Sequence, residues 1–158
     1  MSKNNYFYGL EGRNLFKIYA ADLALNGAKI GSNIYNEQSA RAAYGHQGLI
    51  GFFLARIVAK KVVAKRIEQE AKYDALEPGS PPFREGDKAN FVLNGSEVLD
   101  ATVKPKATGF KGAFSAGATI EFKLSTGKKR KFLLIEDQNV TFVKNLVSGV
   151  VPNTQVAS

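Results

Sequence analysis

Along most of the chain, apolar and polar residues alternate with a period of two, and one long segment breaks that rhythm. Ala118 to Leu124 alternates most plainly, with Ala118, Ile120, Phe122 and Leu124 on one side and Thr119, Glu121 and Lys123 on the other. Lys129 to Ile135 follows across a short turn at 125–128, so the two predict an antiparallel hairpin. Tyr6 to Leu10, Leu15 to Ala20, Leu23 to Ile30, Ala89 to Leu93 and Val98 to Lys104 predict further strands. Leu23 to Ile30 reads as a single strand bulged at Gly27 and turned back on its predecessor at Ala21-Asp22, while Asn94-Gly95 offers a hairpin turn.

The exception is 48–75, free of proline and, beyond Gly51, of further glycine. It predicts one long helix, preceded by a short helix over Asn36 to Tyr44 that Gly45 ends in the left-handed conformation. With Ile50 at zero on a helical wheel, Leu54, Ile57 and Phe53 fall on one side, but Phe52 and Val63 fall near the opposite one. Residues 49–58 are apolar nearly all round, the mark of a buried helix, whereas Lys60, Lys61, Lys65 and Arg66 follow. The expectation is an amino-terminal half enclosed by protein of this chain or a partner copy, with the basic half emerging into solvent. Leu49, Ile50, Phe52 and Phe53 are then candidate interface residues.

Pro78, Pro81 and Pro82 with Gly79 predict a turn or linker after the long helix. Asp137 is placed to cap a last helix over 138–147, and 149–158 lacks periodicity and reads as a disordered tail. Together these give a single α+β domain over 1–158 with a helical insertion at 32–75.

Length and composition narrow the chemistry. A chain of 158 residues buries a core without disulfides or metals, and it contains no Cys and one His. Thiolate nucleophiles and cysteine or histidine metal clusters are thereby excluded. No serine stands in a G-x-S-x-G elbow, and His46, the one conventional base, sits in a glycine-flanked turn where a surface role is the simpler reading. Gly109, Gly112 and Gly117 fit neither phosphate-loop fingerprint. The expectation is no enzyme, no cofactor and no metal. The longest apolar run is also too short for a spanning helix, and no signal-peptide pattern opens the chain, so a cytoplasmic location is expected, with a peripheral membrane site as its variant.

Charge points elsewhere. The formal net charge is +8, and residues 101–131 hold eight basic residues against Glu121 alone, a local charge of +7. Such a segment favours anionic partners. Lys104, Lys106 and Lys111 precede the 118–135 hairpin, and Lys128, Lys129, Arg130 and Lys131 lie in its turn and return strand. If loop and turn share one end of the sheet, these seven groups form an anion site, with Phe110 and Phe114 beside them.

The order of the second half is a strand, the strand SEVLDATV, a basic glycine-containing loop, the hairpin TIEFKLSTGKKRKFLLI around Thr126-Gly127 and the helix DQNVTFVKNLV. It resembles the carboxy-terminal half of bacterial pleckstrin-homology-like domains and the wider PH and GRAM group. The resemblance implies a small antiparallel barrel or strongly bent sheet of about six to seven strands, plugged by the terminal helix. Leu15 to Ile30 supplies its opening strands, and 32–75 stands outside the family pattern. Such domains bind phosphoinositide headgroups or proteins. The functional expectation is therefore a non-enzymatic binding module that contacts protein, itself included, or an anionic membrane surface. The alternatives are a structural subunit that oligomerises through 49–58 and, ranked lower, a basic nucleic-acid-binding protein.

Overall fold

The computed structural model describes residues 5–105, 117–135 and 138–157. The fold is α+β, with a mixed sheet of eight strands in the order β4-β3-β2-β1-β7-β6-β5-β8. In chain order the strands are β1 (Tyr6–Glu11), β2 (Asn14–Ala21), β3 (Ala24–Ser32), β4 (Phe91–Asn94), β5 (Val98–Lys104), β6 (Thr119–Leu124), β7 (Lys129–Leu134) and β8 (Thr154–Val156). The sheet is open: among the described residues no pairing joins β4 to β8, so of the expected barrel or strongly bent sheet of about six to seven strands the barrel does not close, and the sheet is larger and mixed.

Alternation assigns each strand two faces. Phe7, Phe16, Ile18, Leu25, Ile120, Phe122 and Phe132 are buried in one core, which α4 (Val140–Ser148) covers with Val143 and Val147. Leu15, Ala28 and Ile30 are buried on the opposite face of β2 and β3, against Tyr73 and Phe83. The insertion thus covers the face of the sheet that α4 does not.

Several turns depart from the expected ones. The β2–β3 turn uses Asp22 and Leu23, both at positive φ, and the register shift lies at Leu15/Phe16 rather than at Gly27. Gly27 serves packing: a Cβ there would lie 2.1 Å from the Phe91 ring. Asn94-Gly95 does not close a hairpin, because β4 pairs with β3 and β5 with β6, and a 3-10 turn over Gly95–Glu97 carries the chain between them. The proline-rich stretch contains α3 (Pro81–Glu85), whose prolines occupy the first helical turn, where a missing N–H costs nothing. Asn139 caps α4 by accepting from the Phe142 N–H; Asp137, the expected cap, lies outside the described residues.

The carboxy terminus is also corrected. Val151 is buried and β8 lies parallel to β5, pairing Ala101 with Thr154 and Val103 with Val156, so 150–157 is part of the fold. Its apolar residues are too few to show a period, and their partners stand some fifty residues away.

Candidate interaction surface

Two helices of the insertion, α1 (Glu37–Tyr44) and α2 (Gly48–Asp74), form a helical hairpin after β3, as the sequence suggests. Asn36 caps α1, accepting from the Ser39 N–H while the Ser39 hydroxyl accepts from the Asn36 N–H. Gly45 is right-handed. A 3-10 turn over Gly45–Gln47 follows, and the positive φ falls on Gly48. The two helices meet along small residues: Ala55 and Ala59 of α2 pack with Ala40 of α1, and buried Gly51 lies against Tyr44 and Gln47. A Cβ on Gly51 would lie 2.1 Å from the Tyr44 carbonyl oxygen. Only glycine allows this approach.

The seam of small residues reverses the expected orientation of α2. At about 100° per residue, positions 51, 55 and 59 lie on one side of the helix and 50, 53, 54 and 57 on the other. Ile50, Phe53, Leu54 and Ile57 are all exposed, Ile50 at 72% and Phe53 at 63%, and neighbouring Leu49 is at 80%. The amino-terminal half is therefore not enclosed by this chain. The half that docks on the sheet is the polar one.

Docking uses the outward side chains of β1 and β2. Lys17, buried in the strand, donates to both carboxylate oxygens of Asp74 at 2.7 and 2.9 Å, with Glu70 at 3.8 Å. Tyr19 donates its hydroxyl to Asp74 at 2.8 Å and Tyr8 to Glu70 at 2.9 Å. Arg66 donates to Glu70 at 2.7 Å and lies over the Tyr8 ring, while the Lys17 ammonium stands 4.0 Å from the Tyr6 ring centre. Burial, and then the hydrogen bond to Glu70, raise the Tyr8 phenol well above its ordinary range; burial and Asp74 do the same for Tyr19. A cleft of about 610 Å³ opens beside this network, lined by Tyr6, Lys17, Tyr19, Asp74, Leu76 and Pro78. Its ammonium and facing carboxylate satisfy each other, so it serves to seat the helix.

Among the described residues the basic ones do not form one cluster. Lys104 pairs with Thr119 at one end of β6 and Lys129 with Lys123 at the other, about 13 Å along the strand. Lys106, Lys111, Phe110 and Phe114 lie outside the described residues. Lys129 is bound to Glu121 at 3.3 Å. Arg130 forms a bidentate pair with Glu11 and stacks 3.8 Å from the centre of Phe91. Lys128 and Lys131 are exposed at the turn and on the return strand. His46 is exposed in the 3-10 turn, and among the described residues no group of His, Cys, Asp and Glu is arranged to hold a metal ion.

No family model, curated protein or solved structure matches the chain. The hairpin tip is therefore read from its own geometry. Arg56, Lys60, Lys61 and Lys65 are exposed around and beyond the apolar stripe, and Glu37, the one acid within 37–65, is bound to Arg41 at 2.6 Å. Phe53, Leu54 and Ile57 share one side of the wheel, but Phe52 and Val63 on the other side hid the stripe. Its exposure was not legible either, because the seam opposite consists of residues too small to register as hydrophobic. The Lys17–Asp74 contact joins residues 57 apart and leaves no local signal.

Proposed function

We propose that this chain is a non-enzymatic, PH-like binding module whose contact surface is the tip of its helical insertion. The PH-like part draws support from the strand run in which β1 joins β2–β4 to β5–β7, with α4 packed on one face. The observation that carries the contact function is the stripe Ile50, Phe53, Leu54 and Ile57, exposed on the side of α2 opposite its packed seam. Isolated exposed apolar residues are ordinary, but a contiguous set on a projecting element is the usual sign of a contact surface. With one end seated on the sheet, α2 carries this stripe about 26–36 Å from Asp74.

Sedimentation in cell extract tests the reading. The wild-type chain is expected to migrate in larger or pelletable species, and Phe53→Lys to shift toward the free monomer. If both migrate as free monomer, the tip is not a contact surface.

A further inference from the structure

We infer that the occupant of this tip is an anionic lipid bilayer, into which the hairpin dips its apolar end; this rests on the contact-module reading above. Three observations choose the bilayer over a protein.

The first is charge. Arg56, Lys60, Lys61 and Lys65 are exposed, and the hairpin's Glu37 is already bound to Arg41. A second copy would bring another cationic tip against this one, whereas anionic headgroups attract it.

The second is extent. Six large side chains, Leu49, Ile50, Phe52, Phe53, Leu54 and Ile57, make up the exposed apolar surface of the tip, with Ile67 exposed ten residues further along α2. Stable protein interfaces engage about 20–30 residues a side. A patch this small is poor for a protein and sufficient for shallow insertion, where apolar burial and attraction to anionic lipid act together.

The third is vertical order along the helix. Exposure is greatest at the end, 80% at Leu49 and 72% at Ile50. From Leu49 to Leu54 the helix rises about 8 Å, within the depth of about 5–10 Å to which an apolar face enters the headgroup and acyl boundary, and Lys60 and Lys61 follow about 17–18 Å from Leu49. Leu49, Ile50 and Phe53 therefore meet the acyl boundary first, while Arg56 beside Ile57, and Lys60 and Lys61 beyond it, stand at the level of the phosphates. Among the described residues no helix is long and apolar enough to cross a membrane, so α2 enters one leaflet as a wedge.

Vesicle flotation of the purified full-length chain tests the inference. Vesicles of phosphatidylcholine with about one-third phosphatidylglycerol are compared with phosphatidylcholine alone. Binding to the anionic vesicles is expected to be at least about tenfold tighter and to weaken as salt rises. Lys60→Gln with Lys61→Gln should erase that preference. Ile50→Ser with Phe53→Ser should lose about tenfold or more on either vesicle, and because both side chains are exposed, circular dichroism should show an unchanged fold.

The chain has no Trp. Phe53→Trp therefore supplies a single reporter, expected to shift to the blue with anionic vesicles, while Leu99→Trp, exposed on β5, keeps its aqueous emission. The assignment is overturned if the wild-type chain stays unbound with anionic vesicles, or if the serine variant floats as well as wild type. A dimer in light scattering that Phe53→Lys dissolves, without flotation, gives the stripe to a second copy. If flotation fails while the extract complex persists and remains sensitive to Phe53→Lys, the contact module stands and the bilayer falls.

Discussion

Lys17 is an ammonium in the middle of an apolar strand, and its position is tolerable because Asp74, Tyr6 and Tyr19 replace its water. Asp74 is about half exposed, so water screens the pair and its net contribution is modest. Its role is to fix where α2 lands. The tyrosines of the same network give it a pH signature. In the folded state Tyr8 and Tyr19 stay protonated well above an unfolded phenol's value of about 10, so their contribution is complete below that pH and lost as pH rises through the folded values. The urea midpoint should fall between pH 9 and 11, and phenolate absorbance from these two residues should appear with unfolding. Tyr8→Phe with Tyr19→Phe should flatten that pH dependence. If the double variant loses stability over this range as steeply as wild type, the phenols are not the cause.

At the scale of elements, the hairpin rests on one glycine. Gly51→Val places its Cβ against the Tyr44 carbonyl and should pry α1 from α2, at about 1–3 kcal/mol. Hydrogen exchange should show lost protection over 37–59 with the sheet and 66–74 unchanged; uniform loss would mean that the hairpin folds as one unit with the sheet. Strands were the most legible elements. Alternation such as Ile120, Glu121, Phe122, Lys123 is complete within one strand, so it reports burial on one face without knowledge of the partner. Partners were less legible: Asn94-Gly95 has the chemistry of a hairpin, yet the strands on either side of it pair elsewhere. Lys104 and Lys129 are close in sequence, but β6 itself separates them, since a strand sets its two ends apart by its own length. On α2 the apolar residues were plain and the direction they face was not, because Gly51, Ala55 and Ala59 compete for the interior by smallness.

For the whole molecule, the carboxy terminus is a working part of the sheet. Val151 is buried and β8 adds an edge strand, so Val151→Ala should cost about 2 kcal/mol in urea unfolding, against almost none for a frayed tail. The two faces of the sheet then divide the work: α4 seals one, and the foot of α2 occupies the other. In mechanical terms α2 is a cantilever, clamped at Glu70 and Asp74 and loaded at Ile50. A force at the tip acts through a lever of about 36 Å on those ion pairs and phenol hydrogen bonds and on Tyr73, buried in the core between α2 and the sheet. Pulling the arm from its seat therefore also uncovers Tyr73 and the face of β2 and β3 beneath it, so the clamp and the second core yield together.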